Sequence, residues 1–382
     1  MKKTILMASF LGCTLALQTP YLDASFKKGA SFFAAFATAA TYRHYQTTMI
    51  PIAPEITVEN LNIISFEPTT LDATVTKTNS MREVITQIPS KNPIDTAIAL
   101  EDGRHFTVRN AIPKLKNPTD TIFIYCHGWI GNFLGHPLRG KGIGAAATYN
   151  YIKRDILQGV TIAFDFPTDR PQSFNLAQED DMATVTLILQ KVTEINPDAR
   201  IVLVGDSRGA ATILNVMTHA DALVVKNVSA VAIECPPISL ERVAHDLAWH
   251  LPIISSLVHT CVQYALPRYT PGAHIKTVFN GRPFSAHVPI FIGRVMCDSQ
   301  THHAAIQEIA DHIQKSGHKQ VYLYSYTPTL QQQTRQLVWH AKMAQITEYQ
   351  QAVNAFFKRH SLPHNSAYAE QGIAALLEST QQ

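Results

Sequence analysis

A serine stands between small residues in the segment Gly205-Asp206-Ser207-Arg208-Gly209. The apolar run IVLV precedes this segment, and a helix-like stretch, AATILNVM, follows it. A sharp strand-to-helix turn lifts a serine hydroxyl out of a sheet, and flanking small residues let the strand and the helix pass closely. The hydroxyl then lies at a helix N-terminus, where the backbone N–H of Arg208 can stabilise an oxyanion. The pattern predicts that Ser207 is a nucleophile.

Arg208 is the unusual residue of this segment. Its guanidinium could bind a carboxylate or phosphate of a substrate. The interpretation that we favour is a salt bridge to Asp206 or a charge on the helix surface.

The nucleophile needs a rigid sheet to position it, and short apolar runs predict one. The runs are Thr121 to Cys126, Val160 to Phe164, Ile201 to Val204, Ala230 to Ile233, Val288 to Ile292 and Val321 to Tyr324. Runs without alternation are typical of parallel strands that are buried on both faces. Helical spacing at 178–195, 304–313 and 341–359 indicates helices between or after them. We expect an α/β fold with a mostly parallel central sheet covered by helices, preceded by a hairpin of residues 95–112.

Chemistry in such a sheet is expected where strands end at their carboxyl edge. The polar residues that directly follow the apolar runs are His127-Gly128-Trp129, Asp165, the Ser207 segment, Glu234 and Asp298.

These motifs resemble the α/β-hydrolase superfamily over about residues 95–360. The resemblance comprises the hairpin with LEDGRHFTV, the strand ending in HGW, the turn GDSRG, a later acid and a final histidine, in that order. The stretch AIECPP is similar to the ESP stretch of serine hydrolases near the dipeptidyl peptidases and acyl hydrolases. The resemblance implies a catalytic triad of Ser207, Asp298 and His340, with backbone N–H groups of Trp129 and Arg208 as the oxyanion hole. It gives His127 a structural role.

Asp298 closes VPIFIGRVMCD, which is where the family places its acid; a helix N-cap is the alternative interpretation. Asp165 and Glu234 are the rival acids. Asp165 ends an earlier strand and is expected to shape a loop, and we expect Glu234 to have a structural hydrogen-bonding role.

His340 is the only histidine between the last predicted strand and the helix at 341–359. An imidazole has a pKa near neutrality, as a general base requires. The preceding loop from Tyr326 is longer than is usual in the family. Four other histidines are poorly placed for this role: His302, His303, His360 and His364.

The charge and cysteine content of the chain narrow the classes of molecule that it could bind. With 32 Lys+Arg and 29 Asp+Glu, the net charge of +3 gives no support for nucleic acid as a partner. We expect a small-molecule or acyl substrate and no metal or organic cofactor. No CxxC occurs, and no Cys/His spacing matches a zinc site. We interpret Cys126, Cys235 and Cys297 as buried small hydrophobes.

The N-terminus predicts export. Two lysines precede an apolar stretch, residues 5–17, which is typical of a secretory signal. We therefore divide the chain into an export signal or anchor (1–24), an extension of unassigned role (25–94) and an α/β domain (95–382) with a helical cap at 236–287. The protein is then periplasmic, secreted or anchored by its N-terminus, and membrane association through that segment stays open.

The expected function is that of a serine hydrolase that cleaves a carboxylic ester or thioester through an acyl-enzyme on Ser207. Two alternatives stay open. One is a serine peptidase or amidase of the same fold, and the other is a non-catalytic binding protein that retains the fold.

Overall fold

The computed structural model describes twelve parts of the chain. They are residues 56–57, 61, 63–68, 96–100, 103–117, 120–128, 143–166, 179–239, 242–243, 277–298, 300–330 and 340–378. The predicted export segment and most of the predicted cap lie outside these residues.

A nine-stranded sheet is the centre of the fold. The strands are β1 (Ile63–Pro68), β2 (Thr96–Ala99), β3 (His105–Arg109), β4 (Thr121–Cys126), β5 (Val160–Phe164), β6 (Arg200–Asp206), β7 (Val228–Glu234), β8 (Ile290–Val295) and β9 (Val321–Tyr326). Their order across the sheet is β2-β3-β1-β5-β4-β6-β7-β8-β9. The six strands from β4 to β9 pair in parallel, which confirms the mostly parallel sheet.

Helices cover both faces of the sheet. The described α-helices are α1 (Ile143–Lys153), α2 (Glu179–Ile195), α3 (Arg208–His219), α4 (His303–Lys315), α5 (Thr347–Arg359) and α6 (Ser366–Glu378). Apolar side chains of α2, α3 and α4 pack on one face, and those of α1, α5 and α6 belong to the core on the other. The apolar runs thus form strands buried on both sides, because a parallel sheet of this kind has no solvent-facing surface.

The strand beside the parallel block comes from the segment predicted to be an N-terminal extension. β1 is antiparallel to β5 on one side and to β3 on the other, and Phe66 in it is fully buried. The predicted start of the α/β domain at residue 95 is therefore wrong, since the sheet already includes 63–68. The expected β2–β3 hairpin is present. Local sequence could not show the pairing of β1, because both of its partners lie far along the chain.

Two further predictions need correction. The helix expected from residue 341 begins only at Thr347, because Ala341 has a positive φ of 48° and a short 3₁₀ helix, Met343–Gln345, comes first. Cys297 was expected to be buried but is exposed, because it lies in the turn that follows β8. No helix among the described residues has the length and apolar character needed to cross a membrane.

Candidate active site

Ser207 lies on a strained turn between β6 and α3. Its backbone has a φ of 48° and a ψ of −113°, a region that non-glycine residues rarely adopt. The Ser207 N–H donates a 2.9 Å hydrogen bond to the Glu234 carbonyl at the end of β7. A side chain at Gly209 would overlap the Cys126 carbonyl, and one at Gly205 would lie 2.7 Å from Ile213 Cδ1. Both glycines therefore serve the close strand–helix packing that the turn requires.

Three of the predicted side chains come together at the carboxyl edge of the sheet. His340 Nε2 is 2.6 Å from Ser207 Oγ, and His340 Nδ1 is 2.7 Å from Asp298 Oδ2. Asp298 lies just after β8 and His340 lies beyond β9, so the order in the chain is serine, acid, histidine. The arrangement can move a proton from the serine hydroxyl to the imidazole while the carboxylate holds the ring.

Asp298 accepts hydrogen bonds that keep it ionised. The Gln300 and Thr301 N–H groups donate to Oδ1 at 2.8 and 3.1 Å, and Thr301 Oγ1 donates to Oδ2 at 2.7 Å. Burial alone would raise the pKa of Asp298, but His340 and these Thr301 bonds outweigh it and hold the pKa below its ordinary value. Thr301 Oγ1 also lies 3.3 Å from His340 Nδ1.

The charges around His340 raise the pKa of its imidazole. Burial lowers its pKa, but the charge and hydrogen bond of Asp298, together with the charge of Asp206, outweigh burial and raise the pKa above 6.5. An imidazolium formed during proton transfer is thus stabilised. A free enzyme needs the neutral ring as its base, so activity should decline as pH falls through this raised pKa.

The dipeptide Glu234-Cys235 at the end of β7 contacts the segments that carry all three side chains. Besides the Glu234 carbonyl bond to Ser207, Glu234 Oε2 accepts the Met343 N–H at 3.1 Å. The Cys235 thiol donates to Asp298, and its sulfur accepts the Ala341 N–H. Glu234 thus has the hydrogen-bonding role expected of it. Cys235 is buried in the apolar core, as predicted, and also has polar partners.

A pair of acidic residues, Asp206 and Glu234, lies beneath the Ser207 turn. Asp206 accepts a hydrogen bond from the Tyr125 hydroxyl, and Glu234 accepts one from the Tyr151 hydroxyl. Burial raises the pKa of Asp206. Burial and the neighbouring Asp206 charge raise the pKa of Glu234 to about 8. We therefore expect Glu234 to hold a proton at pH 7.

The Arg208 side chain has a different partner from the one expected. Its guanidinium forms a two-pronged bond to Asp181 of α2, with Nε–Oδ2 at 2.7 Å and Nη2–Oδ1 at 2.6 Å. Both side chains are buried, and the guanidinium lies 4.4 Å from the centroid of the Phe166 ring. The predicted bridge to Asp206 and the predicted surface position are therefore wrong. Helix α2 brings Asp181 under Arg208, a long-range contact that the local sequence does not encode.

The remaining predicted residues are placed as follows. Trp129 lies outside the described residues. His127 is buried, with Nδ1 2.7 Å from the Gly128 carbonyl oxygen. Asp165 is buried after β5 and is not the acid that contacts His340 Nδ1.

The four other histidines lie at helix ends or in a loop. His302 caps the N-terminus of α4 by accepting the Ala304 N–H, and His303 begins that helix. His360 caps the C-terminus of α5, and His364 Nδ1 bonds to the Leu362 carbonyl.

Sequence reasoning missed Thr301 and the polar role of Cys235. Thr301 follows Asp298 by three residues, a spacing typical of a turn in which an aspartate side chain accepts backbone N–H groups, so a local signal existed. Cys235 had no such signal, because Asp298 and Ala341 reach it from distant parts of the chain.

Comparison with known proteins gives a partial family match. The Cutinase family model matches residues 140–277, a range that contains the Ser207 turn. No curated protein sequence matches the chain.

Several solved structures align over most of the chain. An esterase from Pyrococcus furiosus is 16% identical, covers 75% of this chain and 96% of its own, and has a TM-score of 0.46. A serine hydrolase without a lid from Xanthomonas campestris is 12% identical, with 73% and 99% covered and a TM-score of 0.41. Esterase 2 from Thermogutta terrifontis, in a form phosphorylated by paraoxon, is 13% identical, with 70% and 94% covered and a TM-score of 0.42.

These TM-scores lie below 0.5, and the Cutinase model covers less than half of the chain. The chain has a block of six parallel strands, an antiparallel strand beside it and the Ser207 turn between β6 and α3. This is the α/β architecture, with a mostly parallel sheet covered by helices, that the sequence predicts.

Proposed function

We propose that the protein is a serine hydrolase that cleaves carboxylic esters or thioesters through an acyl-enzyme on Ser207. The observation that carries the proposal is the unbroken series of hydrogen bonds from Ser207 Oγ through both nitrogens of His340 to Asp298 Oδ2. Such a series activates a hydroxyl that is otherwise a weak nucleophile.

In the proposed reaction, Ser207 Oγ attacks the acyl carbonyl while His340 Nε2 takes its proton. The imidazolium then gives that proton to the leaving alcohol or thiol, and the acyl group stays on Ser207. Water attacks the acyl-enzyme by the same route, with His340 again as the base. Asp298 fixes the ring orientation and stabilises the imidazolium, and remains ionised throughout.

The oxyanion of each tetrahedral intermediate is assigned to two backbone N–H groups. Arg208 begins α3, so its N–H is one of the backbone donors at the N-terminus of that helix, where an anion is favoured. Trp129 follows the HG that ends β4 and is proposed as the second donor. Such donors contribute about 3–4 kcal/mol each to transition-state stabilisation. The Arg208 guanidinium has no assigned contact with substrate, because it is bonded to Asp181.

An ester or thioester bond is preferred to an amide because of the Cutinase match. The preference is tested with matched p-nitrophenyl esters, thioesters and p-nitroanilides of the same acyl group. We expect turnover of the esters or thioesters to exceed that of the anilides. Faster turnover of the anilide would favour the peptidase or amidase alternative.

Covalent labelling with a fluorophosphonate probe tests the nucleophile. We expect labelling of the wild-type protein and of Ser229→Ala, which alters the opposite end of β7, and none of Ser207→Ala. Absence of labelling in a folded wild-type protein would favour the non-catalytic binding protein, which has the same fold but no activated serine.

We also propose that the protein is exported. This part of the proposal depends on the apolar stretch that follows two lysines before residue 24. Cell fractionation with N-terminal sequencing of the mature protein measures it. Recovery of the intact N-terminus in the cytoplasm would overturn it, and a membrane-bound fraction would favour the anchored form.

A further inference from the structure

Three side chains of different chemistry converge beside the nucleophile. Cys235, Asp298 and His340 each present one metal-ligating atom, and these atoms all lie within 4.8 Å of one another. Within the parts of the chain that the structure describes, no other group of three His, Cys, Asp or Glu side chains meets this condition. An acid and a histidine belong to the proposed reaction, whereas the thiol has no part in it.

The donor set is one thiol sulfur, one imidazole nitrogen and one carboxylate oxygen. Zn²⁺ and Cd²⁺ favour such a combination, and three protein ligands leave a fourth tetrahedral position for water. Ligand atoms around a tetrahedral Zn²⁺ are about 3.5 Å apart. The widest separation in the cluster therefore has to close by about 1.3 Å at most, whereas the 2.7 Å contact of His340 Nδ1 with Asp298 Oδ2 has to open by about 0.8 Å. We propose that Cys235, Asp298 and His340 form a binding site for a soft divalent cation, and that occupation of this site switches the enzyme off.

The surroundings of the cluster support this assignment. Burial and the charges of Asp298 and Glu234 raise the pKa of the Cys235 thiol, and the Ala341 N–H, which donates to its sulfur, offsets part of this rise; the charge of a bound cation has to supply the rest. The Gln300 and Thr301 N–H groups and the Thr301 hydroxyl hold the Asp298 carboxylate. Hydrogen bonds of this kind orient metal ligands and typically account for 10–100-fold in metal affinity.

Charge balance also favours the complex. Before binding, a neutral thiol, the Asp298 carboxylate and a neutral imidazole carry one negative charge. Binding of a divalent cation releases the thiol proton, so that thiolate, carboxylate and cation sum to zero in a buried site. Because protons compete for the sulfur and the imidazole, affinity should fall as pH falls.

The effect on catalysis follows from the different partners of the two ring nitrogens of His340. Nδ1 faces Asp298, and Nε2 faces Ser207 Oγ. A cation on Nδ1 leaves the ring proton on Nε2, which can then only donate toward Ser207. The ring can no longer accept the serine proton, so the nucleophile is not activated. His340 keeps 10% of its side chain exposed, so a cation can approach past the ring.

Cation binding itself stands apart from the proposed function, whereas the loss of activity rests on it. Cd²⁺ is the probe, because its bond to a thiolate gives an ultraviolet charge-transfer band. We would titrate full-length protein with Cd²⁺ by absorbance and calorimetry, and follow fluorophosphonate labelling of Ser207 at the same Cd²⁺ concentrations. The variants are Cys235→Ser and His340→Asn, with Cys297→Ser as the matched control for an exposed thiol beside Asp298.

We expect one Cd²⁺ with a thiolate band in wild-type protein and in Cys297→Ser, and labelling that falls as the site fills. Cys235→Ser should lose the band, and both Cys235→Ser and His340→Asn should lose about 100-fold in affinity. If Cys235→Ser does not fold, the Cd²⁺ affinity of His340→Asn tests the site instead, and an affinity equal to that of wild type overturns it. A band that survives in Cys235→Ser or vanishes in Cys297→Ser overturns the site.

Two further outcomes separate the claims. Cd²⁺ binding at Cys235 in a protein that the probe never labels would refute the proposed function but not the cation site. Labelling unaffected by saturating Cd²⁺ would refute the switch.

Discussion

The proposed nucleophile, Ser207, and its proposed base, His340, are positioned in different ways. Ser207 is fixed by regular structure, since β6 and α3 meet at it and backbone atoms of neighbouring elements lie against both flanking glycines. His340 lies in a turn outside any strand or helix. The residues just after it are held by Glu234 and Cys235 at the end of β7. Added steric bulk should therefore disrupt the Ser207 turn, whereas loss of a polar group should disrupt the position of His340.

Replacement of the nucleophile should have the largest effect on activity. Ser207→Ala should lower kcat for a p-nitrophenyl ester by about a million-fold, because Ser207 supplies the hydroxyl that contacts His340 Nε2. The fold should remain, since backbone packing and not the Ser207 side chain holds the turn. Steady-state kinetics and thermal melting measure the two effects, and activity near that of wild type would disprove the role of Ser207.

A larger side chain at the Ser207 turn should lower the free energy of unfolding more than the other substitutions. Gly209→Ala places a methyl group against the Cys126 carbonyl and should destabilise the protein by more than about 3 kcal/mol, as judged by denaturant unfolding. Gly205→Ala is the graded control. Its methyl group would lie 2.7 Å from the end of the Ile213 side chain, which can move, and 3.0 Å from the Gly209 carbonyl carbon, a weaker backbone overlap than that of Gly209→Ala with the Cys126 carbonyl oxygen. Equal effects of the two substitutions would contradict backbone packing as the constraint.

Removal of the Glu234 carboxylate should impair the function of His340 as the base and leave the Ser207 turn in place. Glu234→Ala leaves the Met343 N–H without its carboxylate, and a shift of about 1 Å in His340 should lower kcat by about 100-fold. Glu234→Gln retains an acceptor for Met343 and should recover most of this loss. KM should change less than kcat in both variants. An unchanged kcat in Glu234→Ala would show that the turn holds His340 without Glu234.

The smallest effect concerns the pH dependence of stability. Glu234 has an ordinary pKa of 4.5 and a folded-state pKa of about 8. Its favourable contribution is therefore fully present below about pH 4.5 and is lost as pH rises through 8. Glu234→Gln mimics the protonated acid and should flatten the free energy of unfolding across this range. Denaturant melts at several pH values measure the slope, and an unchanged slope would assign it to other groups.

The same contrast explains what sequence could predict. The turn at Ser207 is encoded by five adjacent residues, and the parallel strands by uninterrupted apolar runs, so both were found. The closeness of Asp298 and His340 followed from their positions after strands. The contacts of Arg208 with Asp181 and of Cys235 with Asp298 were missed. They join residues about 27 and 63 positions apart, and no periodic pattern specifies them.

The position of β1 has a consequence for how the chain folds during synthesis. β1 leaves the ribosome about 100 residues before β5, its partner in the parallel block, a delay of roughly 5–20 s at usual elongation rates. During that time its apolar residues lack their neighbours in β5, although its other partner, β3, follows sooner. A sheet that depends on so distant a pairing is expected to form slowly. The first of the described strands is thus among the last to be paired on both sides, and chaperones that recognise extended apolar segments would find their target in Ile63–Pro68.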